Sequence, residues 1–409
     1  VRVLVAPDKF KGSLSASDVA DCVAEGLVIA GIDCALLPLA DGGDGSVDAA
    51  VAAGFSRHPV TVAGATGTPH YGSIAVGDDT GTVVVEVADT CGMATLHGGR
   101  QAPRDASSLG FGQAIGQALR HSPRRLVLAL GGSASTDGGM GMLAALGYIF
   151  HDADGRQVGA CGRTLSQVHT VDSSRAVNLA GIELVVAGDV TNPLTGPEGA
   201  AEVYGPQKGA DPETVLLLDA GLGNLVDAFA RSGHPHAWSV ADRPGAGSAG
   251  GIGFAAMILG ASLVSGAEFF LNLLDFDSHL GGVDLVVTGE GCIDDQTRHG
   301  KLLTVLTDRA RPVPVVAVTG RSTLLREKWK SAGFERIHVL SDYTDRDTAT
   351  DSQLTAQLLT HIGRAIGDDA ARSRHRKMPP LQHDDFDDAL PSHPCPPSTV
   401  ADRPMQSSS

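Results

Sequence analysis

An α/β fold in two domains is what this sequence predicts, and three observations carry the prediction. Short β-branched and apolar runs alternate with helical text at both ends of the chain; residues 60–90 break that rhythm with short strands split by Gly and Asp turns; and acids recur where the apolar runs end. Buried strands alternating with amphipathic helices are the pattern of a parallel sheet covered on both faces. At 409 residues the chain is long enough for two cores of ordinary size.

Taken in order, RVLVAP (2–7) is a strand that stops at Pro7 and Asp8, and SASDVADCVAEGLVIAG (15–31) is a helix opened by Ser15. CALLPLADGGDG (34–45) repeats the strand-to-glycine form. PVTVAG, YGSIAVGD and GTVVVEVAD then read as antiparallel hairpin strands. RRLVLALGG (124–132) and IELVVAGDV (182–190) return to the parallel manner, separated by MGMLAALGYIF, read as a helix, and a polar excursion over 151–175. ETVLLLDAGLGNLVDAFARSG and GFAAMILGA are helices, and VDLVVTGE, VPVVAVTG and RIHVLSD are buried strands that each run into a turn. The two ends share one style, which predicts a parallel-sheet, Rossmann-like domain built discontinuously from 1–60 plus 281–367, with 61–280 inserted as a larger α/β domain. The tail, 368–409, has Pro, His, Asp and Ser in place of periodic apolar residues and is expected to be disordered.

The formal charge of −16 argues against a nucleic-acid or anionic-lipid partner, so any phosphate must be held locally. The six cysteines lie far apart with neither CxxC pairs nor zinc-type spacing, and read as reduced thiols. VRVLVAPD enters a strand directly and no apolar run spans a bilayer, so a cytoplasmic location is expected.

The chemistry gathers by position. Asp8, Asp41, Asp137, Asp189 and Glu290 each follow an apolar strand or stand in the turn after it. The carboxyl ends of parallel strands share one edge, where ligands bind, so these acids are expected to converge; each is also a plausible turn former or helix N-cap. DGGDG (41–45), GGSASTDGG (131–139), PGAGSAGGIGF (244–254) and GEG (289–291) add glycine loops whose N–H groups can approach a phosphate. Lys9, Lys11, Lys208 and Lys301 sit in such loops beside acids. Carboxylates for Mg²⁺, and lysines and N–H groups for a moving phosphoryl group, are what nucleotide phosphoryl transfer requires. A bound cation would also keep neighbouring carboxylates ionised. GAGSAG (245–250) fits a dinucleotide fingerprint, with Glu268 near the distance of a ribose-binding acid, but the text before it is no strand; there is no Walker A sequence.

APDKFKGSLSA, PLADGGDGS, GGSASTDGGMGML, DVTNPLTGPEGAAEVYGPQKGA, PGAGSAGGIGF and VVTGEGCIDDQTRHGK, in this order, closely resemble the bacterial glycerate kinase family from residue 1 to about 366. The resemblance implies a two-domain enzyme that phosphorylates D-glycerate with ATP and Mg²⁺, typically to 2-phosphoglycerate, with 3-phosphoglycerate as the other product. Among the matching positions, Asp8, Lys11, Ser13, Asp41, Gly42, Gly43, Asn192 and Gln207 are assigned to substrate. Gly131, Gly132, Ser133, Asp137 and Gly138, with Gly245, Gly247 and Gly250, are assigned to the nucleotide. Asp189, Lys208, Glu290 and Lys301 are assigned to catalysis, and Asp189, Glu290 and Asp294 to the metal; Gln296, Thr297 and Gly300 complete the last motif. Lys9 departs from the small polar residue usual there, and LLTVLTDRARP after Lys301 departs from the usual helix start. A small-molecule partner and a monomer or homodimer are expected. The competing readings are an NAD-dependent hydroxy-acid oxidoreductase, from GAGSAG, and a non-catalytic ligand sensor, from the two departures and the tail.

Overall fold

In the computed structural model, which describes residues 1–294 and 302–377, the strands form two main sheets. The first is five-stranded and parallel throughout. It contains β1 (Arg2–Val5) and β2 (Asp33–Leu36) from the start of the chain, and β11 (Leu285–Ile293), β12 (Val315–Ser322) and β13 (Arg336–Val339) from its end, in the order β13-β12-β11-β1-β2. The second has the order β10-β9-β6-β5-β4-β3. In it β3 (Ser56–Ala63), β4 (Pro69–Gly77) and β5 (Thr82–Glu86) form the antiparallel meander, while β5, β6 (Arg125–Ala129), β9 (Glu183–Ala187) and β10 (Ser262–Val264) run parallel.

The pleat explains how the sheets hold together. In β5, Val83 and Val85 pack into an apolar cluster on one face of the second sheet, whereas Val84 points to the other. There it joins Val127 and Ala187 in a cluster that also takes Leu4, Val286 and Ala317 from the first sheet, with Phe270 and Phe276 between. The outer face of the first sheet is covered by the helices Ala16–Ile29 and Ser352–Lys377. Val19, Val23, Leu27, Leu359, Ile362 and Ile366 are buried in that layer, each contributing about 1.5–3 kcal/mol by leaving water. The helices cross closely because Gly26 and Gly363 carry no side chain. A Cβ on Gly26 would overlap the carbonyl oxygen of Thr360, and one on Gly363 that of Val23.

Several boundaries differ from the sequence expectation. β3 begins at Ser56 and the helix Ser46–Ala52 packs on β4 and β5, so the second sheet's territory starts before residue 61. The helices Gly266–Leu273 and Phe276–His279 pack with the chain's end: Arg309 donates to Asp277 and Asn272, and the first helix lies on Leu302–Arg309. MGMLAALGYIF divides into the helix Met140–Ala145 and the short strand β7 (Ile149–His151), because Gly147 at φ +95° ends the helix; β7 pairs with β8 (Thr170–Asp172). The last helix runs to Lys377, so the stretch from 368 opens as helix, not disorder. Ala371 still packs on the apolar layer, and Asp369 accepts from Arg336 at 2.8 Å. Residues 378–409 lie outside the described residues.

Candidate active site

The carboxyl ends of the two sheets face one another, and the loops that leave them touch backbone to backbone. A Cβ on Gly42 would overlap the carbonyl oxygen of Ala187, at the end of β9. One on Gly131, after β6, would overlap the Cα of Gly43, and one on Gly266 the carbonyl oxygen of Asp41. Glycine is required at these approaches because any side chain would push the loops apart. Asp8, Asp41 and Asp189 thereby come into one region, and the N–H of Asp8 donates to the carbonyl oxygen of Gly289, next to Glu290.

Lys9 organises the acids. Its Nζ stands 3.6 Å from Asp8 Oδ1 and 3.7 Å from Asp41 Oδ1, at ion-pair but not hydrogen-bond range. Burial pushes the Asp8 carboxyl up to about 7, with Lys9 opposing that rise and Asp41 adding to it. The Lys9 ammonium is itself pushed upward: burial works against its charge, but Asp8, Asp41, Asp44 and Glu86 together outweigh that. Asp41 Oδ1 also accepts from the N–H of Gly43 at 3.0 Å, which fixes the turn.

Glu86 was not singled out by the sequence, although TVVVE has the same form as the other strand-ending acids. Its two oxygens accept from the N–H groups of Gly45 (2.9 Å) and Val47 (3.0 Å), and so carry the start of the helix Ser46–Ala52 from the second sheet. Burial raises its carboxyl to about 8, against the pull of those two bonds.

The GGSASTDGG loop splits into two parts. Gly131 and Gly132 are accessible at the sheet edge, whereas Ser133 to Gly139 turn inward. Asp137 is wholly buried, and its carboxylate accepts from the N–H and hydroxyl of Ser108 and the N–H groups of Gly139 and Gly141 at 2.8–3.1 Å. These donors oppose an upward push from burial. A Cβ on Gly138 would strike Leu225, so Asp137 and Gly138 shape the loop from inside and do not face a nucleotide. Lys208 is 3 % exposed and donates to Ser133 Oγ (2.9 Å) and the carbonyl oxygen of Ser135 (2.5 Å). Burial lowers its ammonium to about 8, although Asp137 opposes this.

Other expected residues have local work. Asp189 Oδ1 accepts from the N–H of Gly266 at 3.1 Å, with Ser265 and Ala267 as further donors, so it caps the helix Gly266–Leu273. Burial still nudges its carboxyl upward, by an amount that solvent access limits. Asn192 donates to the carbonyl oxygen of Glu198 and accepts from Tyr204, bracing its own loop, and Gln207 is exposed with its carbonyl oxygen receiving Gln101. Gly245, Gly247 and Gly250 are buried; side chains there would strike Leu263, Pro193 and Ser135 respectively, so they serve chain crossings, not a phosphate cradle. The element before them is the helix Ala237–Ala241, and Glu268 reaches Arg309 at 3.8 Å, which removes both supports for the dinucleotide reading. Glu290 lies within β11, opposite Thr319 of β12, because the strand runs on past it to Ile293; Asp294 follows the strand, and both are half-buried. Lys301, with Gln296, Thr297 and Gly300, lies outside the described residues.

A cleft of about 280 Å³ opens beside this cluster, lined by Lys9, Lys11, Ser13, Asp44 and Gly45 among others. The hydroxyl oxygen of Ser13 is buried and has no hydrogen-bond partner among the described residues. Among the described residues no three acids, histidines or cysteines are grouped tightly enough to enclose a metal by themselves.

The glycerate kinase family model matches residues 3–370. The chain is 37% identical over 331 residues to glycerate 2-kinase of Escherichia coli K12, covering 79% of this chain and 86% of that protein. It is 38% identical over 327 residues to glycerate kinase of Bacillus subtilis 168, covering 78% and 85%. A crystal structure from Salmonella typhimurium LT2, assigned as a glycerate kinase 2, superposes with a TM-score of 0.75 at 33% identity, over 92% of this chain and 99% of that one. Among the described residues no helix is long and apolar enough to cross a membrane.

Proposed function

This chain belongs to the glycerate kinase family, and on that premise we propose that it transfers the terminal phosphoryl group of ATP to the C2 hydroxyl of D-glycerate, releasing 2-phosphoglycerate and ADP. The observation that carries the reading is the approach of Asp8, Asp41 and Asp189 on glycine-built loops where the two sheets' carboxyl ends meet, with Lys9 between the first two.

In the transfer a bond forms between the acceptor oxygen and the terminal phosphorus, and the bond from that phosphorus to the bridging oxygen of ADP breaks. The hydroxyl proton leaves for a carboxylate. Asp189 and Glu290, with Asp294 at the end of the same strand, are the residues to hold Mg²⁺ or receive that proton; the ion would neutralise charge on the phosphates. Gly131 and Gly132 are the accessible part of the loop assigned to the nucleotide, and Lys208 sets the position of the buried Ser133 that follows them. Asp8, Lys11, Ser13 and Asp41 with Gly42 and Gly43 form the side assigned to glycerate, where carboxylates can accept from substrate hydroxyls and the lysines can hold its carboxylate. Lys301 is assigned to the phosphates by its motif. The five cysteines among the described residues are free, which supports a reducing, cytoplasmic setting.

Phosphorus NMR of the product formed from ATP and D-glycerate tests the reading. A 2-phosphoglycerate signal that requires Mg²⁺ is expected; no phosphorylated product from folded protein would overturn it.

A further inference from the structure

We propose that a second cleft, lined by Thr66, His97, Arg100, Arg104, Asp105 and Arg163, is a binding site for a phosphate-bearing anion. Its volume, about 420 Å³, is in the range of small-molecule sites. Three guanidinium groups face one carboxylate there, in a chain whose formal charge is −16. Arg163 is fixed by a two-pronged bond to Asp105, Nε and Nη2 each donating at 2.6 Å. The side chains of Arg100 and Arg104 make no hydrogen bond or contact ion pair with any described residue; Arg104 is half-buried and lies within electrostatic reach of Asp211. Two planar forks without a hydrogen-bonded partner, beside a third that is already oriented, match the oxygens of phosphate better than a single carboxylate, which one fork would satisfy.

The cleft is also tied to the candidate nucleotide loop. Gln101, between Arg100 and Arg104, donates to the carbonyl oxygen of Gln207 at 2.9 Å, and Gly209 lies directly against its side chain. Between those two residues Lys208 reaches inward to Ser133. The cleft and the Gly131–Ser133 loop are therefore linked through one short segment, Gln207 to Gly209. The chemistry fits the polyphosphate tail of a nucleotide or the phosphate of a phosphorylated hydroxy acid. The anion site rests on the arginines alone; naming its ligand as donor or product rests on the proposed function.

The test measures binding of pyrophosphate, Mg-ATP, 2-phosphoglycerate and D-glycerate by calorimetry to the full chain and to Arg100→Gln, Arg104→Gln and the double variant. Arg163 is left in place because it pairs with Asp105. Pyrophosphate is expected to bind about tenfold more weakly per arginine removed, with a shallower dependence on salt. Joint weakening of Mg-ATP with D-glycerate unchanged identifies a nucleotide tail; weakening of 2-phosphoglycerate alone identifies the phosphorylated acid. If Arg104→Gln unfolds, the exposed Arg100→Gln variant decides. Unchanged pyrophosphate affinity overturns the site even if the enzyme phosphorylates D-glycerate. Arginine-dependent pyrophosphate binding without ADP formation keeps the site and sinks the proposed reaction.

Discussion

Lys208 donates to the hydroxyl of Ser133 across 2.9 Å, although 75 residues of chain separate them. The lysine spends its charge inside the protein, orienting the loop whose first residues are accessible at the sheet edge. Lys208→Met keeps the length and removes both donated bonds. A fall in kcat of about 10²–10³ is expected, comparable to losing one pre-aimed donor, with KM for glycerate nearly unchanged. Steady-state kinetics with each substrate varied in turn checks this.

The same lysine gives a signature in stability. Its ammonium is held at about 8, below the usual 10.5, so between these values the unfolded chain binds more protons than the folded one. Its penalty is present in full below about pH 8 and is relieved as pH rises to about 10.5. Urea midpoints of the parent over that window should therefore gain relative to those of Lys208→Met. Parallel curves would show that the folded amine titrates at its ordinary value, so that burial does not depress it.

Lys9→Met removes the cation between Asp8 and Asp41. The Asp8 carboxyl, already near 7, rises further once its counter-charge is gone. Because the folded chain then holds that proton more tightly than the unfolded chain, the Asp8 contribution to stability declines from about pH 4 up to its folded value, and in the variant the decline extends to higher pH. The acid limb of kcat/KM should move the same way. A pH–rate profile that does not move would mean that Asp8 ionisation does not limit turnover.

Glu86→Ala leaves the N–H groups of Gly45 and Val47 unpaired in a buried place, at about 1–3 kcal/mol each. Glu86→Gln keeps an acceptor oxygen and should lose less stability. Both should raise KM for glycerate, since the turn bearing Asp41 hangs from this carboxyl. Chemical denaturation together with kinetics separates the two effects.

Gly26→Ala adds a methyl group that overlaps the Thr360 carbonyl oxygen, and the helices must part to admit it. A loss of about 1–3 kcal/mol is expected, read as a lower urea midpoint, with KM for both substrates unchanged.

The strands at both chain ends and the hairpin run were legible because each carries its own period and its own stop. The convergence of Asp8, Asp41 and Asp189 was legible too, since strand polarity alone places such acids on one edge. What a strand-ending acid does there was not. Asp137 turns into the core to meet Ser108, and Asp189 crosses to the helix beginning at Gly266; both partners are set by packing between segments distant in sequence. Glu86 went unseen because its two acceptor bonds reach back 41 and 39 residues to backbone, which leaves no motif. The glycines of GAGSAG spelled a cradle by spacing, but the chains they let pass can be found only in three dimensions.

β1 pairs on one side with β2 and on the other with β11, whose residues come about 280 positions later. While the protein is being synthesised, β1 must wait for about 280 further residues before its second edge is covered. The six-stranded sheet, complete once Val264 has emerged, can close first. A translational stall after that point would therefore leave a finished second sheet beside a first strand with one bare flank, open to pairing with the wrong chain.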